Sequence, residues 1–279
     1  MEQFEGRVAV VTGGASGIGR ALAARFAEAG MRVVLADVER DALEATAGAL
    51  RDGGGEVLAV ETDVSSAESV DALADRAFET FGAVHVVCNN AGVGGANVAS
   101  YRATLADWQW TLGVNLWGVI HGVRAFVPRM LDGGEEGHVV NTASIAGLTP
   151  LPGNAPYGVS KAGVVALSEA LYLELQQRGA RVRASVLCPG IVRTNILDSQ
   201  RNRPEALRNP EPPRPDPAQE RLRDEFARSA IAPAEVAAKV FEAIRDERFW
   251  ILTHDIDSWI RRRADGILAR ANPQARPRG

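Results

Sequence analysis

The 279-residue chain reads as an α/β protein: one doubly wound parallel sheet of about seven strands with helices on both faces. Three observations predict this. Short apolar runs alternate with longer stretches of helical character, the rhythm of parallel strands joined by helical crossovers. The first run, residues 7–12, leads directly into a glycine loop and then an Ala-rich helix. Composition is that of an ordinary globule, 46% hydrophobic and 24% charged, and no linker suggests a second unit, so residues 1–279 read as a single domain.

Residues 7–12 (RVAVVT) form the first strand. Gly13, Gly17 and Gly19 spell G-x-x-x-G-x-G before a helix over 21–29, which Gly30 stops. Glycines let a backbone approach a pyrophosphate, and a helix amino end supplies N–H groups and a positive dipole end. Residues 32–37 are the second strand. It ends in Asp37, about twenty residues past the loop, where a carboxylate can bind adenosine ribose hydroxyls. Together these features predict a Rossmann-type dinucleotide site.

A helix over 41–50, a strand over 56–61 and a helix over 67–80, capped by Ser65 or Ser66, come next. The fourth strand, 84–88, closes on Asn89-Asn90-Ala91-Gly92. A glycine-rich loop over 93–97 precedes one long helix over about 104–130, which carries Trp108, Trp110, Asn115 and Trp117. The fifth strand runs to Ala143, a helix covers 157–177, and the sixth strand covers 181–188 before Pro189-Gly190. Residues 198–225 hold six of the fourteen prolines and no apolar period. They read as a structureless insertion that serves as a substrate lid. A helix opening at Pro233, a seventh strand over 249–253 and a last helix over 255–271 complete the set. The tail over 258–279 has six arginines against Asp265 alone and reads as solvated and frayed.

The net charge of −4 lacks the basic excess of a nucleic-acid binder. No apolar run approaches the roughly 18 residues of a membrane span, and the start of the chain has no signal-peptide character. A cytoplasmic protein is expected. His85, His121, His138 and His254 show no metal-ligand spacing, so no metal is expected. Cys88 and Cys188 sit in apolar strands, with strand five expected between them. Strands two apart lie about 9.6 Å from each other, beyond disulfide reach, so two free thiols are expected.

Chemistry concentrates between Ser144 and Lys161. Ser144 follows the fifth strand, at the carboxyl end where open α/β sheets bind ligands. Tyr157 and Lys161 are four apart, on one face of a helix. An ammonium beside a phenol favours the phenolate, so the Tyr157 pKa is expected to fall from about 10. A phenol so tuned can move a proton.

Taken together, TGGASGIG over 12–19, Asp63, NNAG over 89–92, Asn115, Ser144, Tyr157, Lys161 and PGIVRT over 189–194 resemble the short-chain dehydrogenase/reductase family, in order and spacing. The resemblance covers about residues 6–194. It implies an oxidoreductase moving a hydride between a nicotinamide cofactor and an alcohol or ketone, with Tyr157 as acid/base. Ser144 would hold the substrate oxygen, Lys161 the nicotinamide ribose, and Asn115 a water leading to solvent. Cofactor contacts would come from Gly13, Ser16, Gly17, Ile18, Gly19, Asp37, Asp63, Val64, Asn89, Ala91, Gly92, Tyr157, Lys161, Pro189, Gly190, Ile191 and Thr194. Asp63 and Val64 would meet adenine; Ile191 and Thr194 would meet the carboxamide. The family also implies a homo-oligomer, a tetramer, paired through the long Trp-bearing helix and the helix after Tyr157. Apolar residues such as Trp117 and Leu171 on more than one face of these helices fit that pairing.

Asp37 favours NAD, since neither Ser16 nor Val38 is basic. Ile145, Leu148, Leu151, Asn154, Ile191 and the insertion are expected to make a mostly apolar pocket for a secondary alcohol or ketone, such as a terpenoid or steroid-like compound. An NADPH-dependent ketoacyl-type reductase and a non-catalytic NAD-binding protein are the alternatives. The first wants a basic residue at Ser16 or Val38, and the second is at odds with the presence of both Tyr157 and Lys161.

Overall fold

A computed structural model describes residues 1, 3–96, 98–150, 152–210 and 230–273. Seven parallel strands form one sheet in the order β3-β2-β1-β4-β5-β6-β7. They are β1 (Val8–Thr12), β2 (Arg32–Asp37), β3 (Val57–Glu61), β4 (Val86–Asn89), β5 (Gly137–Thr142), β6 (Val182–Cys188) and β7 (Trp250–Leu252). The chain builds outward from β1 to β3, then returns to place β4 on the other side of β1. That reversal opens a crevice at the carboxyl ends of β1 and β4, where such sheets bind ligands.

Alternate residues of each strand feed opposite cores, because successive side chains point to opposite faces. On one face Ala9, Val11, Val33, Leu35 and Leu187 pack under Leu22 and Phe26 of α1 (Gly17–Glu28) and Leu43 of α2 (Arg40–Asp52). Val236, Val240 and Ile244 of the helix Pro233–Arg245 complete that layer. On the other face Val8, Val10, Val34, Val87 and Val139 meet three helices. These are α3 (Ala67–Phe81), through Val70 and Leu73, α5 (Gly118–Gly133), through Phe126 and Met130, and α7 (Ala155–Gln177), through Leu171 and Leu175. Burial on both faces explains why the strands read as continuous apolar runs.

The expected long helix over 104–130 is interrupted. A capping box opens α4 (Leu105–Leu112): Thr104 Oγ1 accepts from Asp107 N at 3.1 Å, and Asp107 Oδ2 accepts from Thr104 N at 2.9 Å. A π-helical turn, Gly113–Trp117, then separates α4 from α5. Such wide turns are mostly single-turn bulges within α-helices, and they are frequent at functional sites.

The insertion also departs from expectation. Residues 196–202 and 205–207 form 3₁₀ turns. Their anchor is Arg203, whose Nη1 donates to Asp107 Oδ1 at 2.7 Å with both side chains buried. Asn209 adds a bond to the same carboxylate oxygen. Order here comes from buried polar pairing, which a search for apolar period does not register. The rest of the expected lid, 211–225, lies outside the described residues, as do Leu151, Asn97 and the tail end 274–279. The last helix, Asp257–Leu268, has no buried residue.

Leu171 faces the core under α7, not the outer surface; the exposed apolar residues on that side are Val159 and Leu173. Cys88 and Cys188 are buried and free, and the register Cys88–Val140–Ser185 puts β5 between their strands. Burial drives both thiols up, Cys188 to about 12. Among the described residues no helix is long and apolar enough to cross a membrane.

His138 on β5 is almost wholly enclosed, its Nε2 2.6 Å from Ser185 Oγ, which in turn donates to Arg248 O. Burial pushes its pKa down from 6.5 to about 3. In that interval the unfolded chain binds the proton and the native chain does not. Stability is therefore full above pH 6.5 and declines as pH falls toward 3, at a slope approaching about 1.4 kcal/mol per pH unit. Denaturant unfolding at pH 7, 6 and 5 is expected to show this slope, reduced by up to one proton in His138→Asn. Equal slopes would contradict the assignment.

Candidate active site

The crevice is floored by the glycine loop. Gly13 has φ 64°, and a Cβ there would lie 2.8 Å from Ala91 Cα. A Cβ on Gly19 would stand 1.9 Å from Gly13 O, so the first turn of α1 packs directly on the loop. Asn90 ties the loop to β4, its Nδ2 donating to Thr12 O at 3.0 Å and its backbone N to Thr12 Oγ1 at 2.9 Å. Both Asn90 and Thr12 were outside the expected site; their adjacency needs β1 and β4 side by side.

Asp37 closes β2 at the rim. Its Oδ2 accepts from Ala15 N at 3.0 Å and its Oδ1 from Glu39 N at 3.0 Å, which fixes the carboxylate beside the loop. Asp63 Oδ1 accepts from Ser65 N and Oγ, so the wall at Asp63 and Val64 is also preset.

At the other end, Ser144 caps the short helix α6 (Ile145–Leu148), and its Oγ accepts from Ala146 N at 3.1 Å. Tyr157 keeps part of its surface open to the crevice, yet surrounding protein desolvates its hydroxyl and pushes the pKa above 10, with the nearby Ser144 hydroxyl opposing the rise. The expected lowering by Lys161 is not found. Lys161 Nζ donates to Thr142 O at 2.9 Å and stands 5.8 Å from the Tyr157 ring centroid. Burial pushes the ammonium itself down to about 8.

Asn115 occupies the π-turn, fully buried. Its Oδ1 accepts from Val93 N at 2.8 Å, and its Nδ2 donates to Val93 O at 3.0 Å and Ser160 Oγ at 3.2 Å. The side chain thus joins the loop after β4 to the helix bearing Tyr157.

Of the expected residues, Gly13, Ser16, Gly17, Ile18, Asp37, Asp63, Val64, Ala91, Gly92, Tyr157, Lys161, Pro189 and Thr194 line one crevice. Gly19, Asn89, Asn115, Ser144, Gly190 and Ile191 stand behind it. Asn89 turns inward to Asn141 Oδ1 at 2.9 Å; the Gly190 and Ile191 backbones bond Thr253 and Ile231. Ile145, Leu148 and Asn154 are not on the lining either. The apolar walls come from Val93, Trp110, Val114, Ile196, Pro204 and Leu207. Glu39, Arg201 and Asn202, which the sequence did not single out, also line it.

A sequence model of the family described as short chain dehydrogenase matches residues 7–205. The chain belongs to the short-chain dehydrogenase/reductase family. This dehydrogenase is 39% identical over 258 residues to a 1-deoxy-11-beta-hydroxypentalenate dehydrogenase of Streptomyces exfoliatus, covering 92% of this chain and 86% of that one. It is 39% identical over 206 residues to 3beta-hydroxysteroid dehydrogenase 1 of Eggerthella lenta, at 74% and 78% coverage. The crystal structure of a short-chain dehydrogenase/reductase from Burkholderia phymatum in complex with NAD matches all of both chains, with a TM-score of 0.96 at 47% identity. The short-chain dehydrogenase is an oxidoreductase acting on hydroxyl and keto groups with a nicotinamide cofactor. The crevice fits such a group: close-packed glycines leave its floor free of side chains, with an acidic rim at one end and a phenol and amine at the other.

Proposed function

We propose that this enzyme is an NAD-dependent dehydrogenase of secondary alcohols, or of the corresponding ketones, with a largely apolar body. The observation that carries the reading is the shared crevice: Asp37 at its adenosine end, Tyr157 and Lys161 at its reacting end, and apolar walls beside Tyr157. NAD, when bound, supplies the hydride acceptor.

The chain's own residues handle the oxygen and the proton. Ser144 holds the substrate oxygen next to Tyr157 and fixes its orientation. Tyr157 takes the hydroxyl proton in oxidation and returns it in reduction. Lys161, anchored on Thr142, presents its charge to the cofactor side and to the phenolate as it forms. Asn115 holds the loop and the catalytic helix at fixed separation. No basic side chain other than Lys161 and Arg201 lines the crevice among the described residues, and that supports an uncharged substrate. The pentalenate- and steroid-acting relatives fit a terpenoid or steroid-like alcohol.

A panel of such alcohols, assayed by NAD reduction, tests the reading. Turnover is expected with bulky apolar secondary alcohols; turnover confined to charged acyl thioesters with NADPH would replace it. We also propose a homotetramer, supported by Trp117 and Leu173, apolar yet 52% and 54% exposed on neighbouring helices. A monomeric mass by light scattering at micromolar concentration would rule it out.

A further inference from the structure

The crevice is crossed by a strap. Residues 196–203 leave Thr194 and run between two footholds on opposite walls. On the substrate side Ser199 Oγ accepts from Gly94 N at 2.9 Å, and Arg203 is buried on Asp107. On the nucleotide side Arg201 reaches Glu39, two residues beyond Asp37. Its Nη2 donates to Glu39 Oε1 at 2.5 Å and its Nε to Oε2 at 3.3 Å. Asn202 Nδ2 adds a bond to Oε1 at 2.7 Å. The fork is bidentate, the geometry in which Arg holds a carboxylate best. Arg201 Nη1 also binds the carbonyls of Asn195 and Asp198, so the guanidinium stiffens the strap while it grips the far wall.

Two consequences follow from this placement. Ser199, Arg201 and Asn202 of the strap line the crevice between Asp37 and Tyr157, so a molecule lying along it has the nucleotide-side foothold against its path. Arg201 is also the one basic side chain lining the crevice near Asp37 among the described residues, Lys161 being at the other end. A guanidinium there is what a 2′-phosphate would seek. Glu39 already occupies it.

We propose that Glu39 and Arg201 form a latch over the adenosine end of the crevice, so that Glu39 both slows nucleotide release and withholds Arg201 from a 2′-phosphate. This makes Glu39 a second specificity carboxylate, acting through Arg201 and separately from Asp37. The proposal rests on the dinucleotide reading above. Glu39 and Arg201 are both partly exposed, so removing either is compatible with folding.

The test measures NADH release by stopped-flow fluorescence and the kcat/KM ratio for NADP over NAD. Four forms are compared: wild type, Glu39→Gln, Arg201→Ala and the double variant. Partly exposed ion pairs are modest, so release from Glu39→Gln and from Arg201→Ala is expected to quicken about threefold to fivefold, and no further in the double variant. The NADP/NAD ratio is expected to rise about tenfold in Glu39→Gln alone, as freed Arg–phosphate pairing predicts. Arg201→Ala lacks the guanidinium and shows no such rise; adding it to Glu39→Gln abolishes the gain. A structural role for Glu39 would move neither ratio nor its dependence on Arg201. Wild type that binds NADH, with Glu39→Gln unchanged in both readouts, overturns the latch alone. Wild type that binds no dinucleotide overturns the functional reading itself.

Discussion

Tyr157→Phe is expected to lower kcat by about 10²–10⁴ while leaving NADH affinity close to wild type. Phe keeps the ring and its packing and removes only the oxygen that handles the proton. Among the described residues no second side chain is placed to take over: Lys161 is turned onto Thr142, and Ser144, behind the lining, is bonded to Ala146 N and Pro189 O. Fluorescence titration with NADH and steady-state rates in both directions check this. Wild type adds a pH signature. Because burial raises the Tyr157 pKa, the phenolate needed for oxidation is scarce at neutral pH, and the oxidation rate should climb as pH rises toward that pKa. Reduction uses the phenol and should hold over the same range, then fall above it. Lys161, pushed to about 8, loses its charge progressively above that pH, which limits the alkaline gain. Substantial turnover in Tyr157→Phe with the wild-type pH profile would remove Tyr157 from the proton-transfer role.

The second large effect concerns the cofactor. Wild type is expected to prefer NAD over NADP at least about a hundredfold in kcat/KM, since placing like charges together costs several kcal/mol and about 1.4 kcal/mol is tenfold. The Asp37 carboxylate cannot swing aside freely, because Ala15 N and Glu39 N both bind it. Val38, 49% exposed on the crevice wall, offers no charge to offset it. Asp37→Ala combined with Val38→Arg should shift the preference toward NADP. Equal use of both cofactors by wild type would show that Asp37 does not meet the ribose.

What could be seen in advance was what is local in the chain. The glycine loop, Asp37 at a strand end and the Tyr157–Lys161 spacing each depend on neighbours a few residues away, and their positions follow once strands and helices are assigned. The Tyr157 shift runs opposite to the expected lowering because surrounding packing, which a four-residue spacing does not encode, buries the hydroxyl, and because the Lys161 amine has a competing acceptor, Thr142 O. The Glu39–Arg201 contact joins residues 162 apart, and Arg203–Asp107 joins residues 96 apart. Neither leaves a local mark, so residues 198–210, anchored by polar pairing, read as structureless. Trp117 and Leu171 were expected only to put apolar residues on more than one face of their helices; Trp117 is exposed and Leu171 is in the core. Rotation about a helix axis decided between them, and in α7 apolar residues on several faces hide that rotation.

The π-turn at Gly113–Trp117 works as a spacer rather than as a helix. Each residue advances an α-helix by about 100°. The extra residue therefore changes how α4, which carries the Asp107 anchor, is rotated relative to α5, which packs on the sheet. It also delivers Asn115 inward at the level of Val93 and Ser160. Removing one residue would yield a more regular helix and a misaligned pair of walls. Through Asn115, the irregular turn holds the loop after β4 to the helix of Tyr157, and so ties the spacing of two crevice walls to one extra residue.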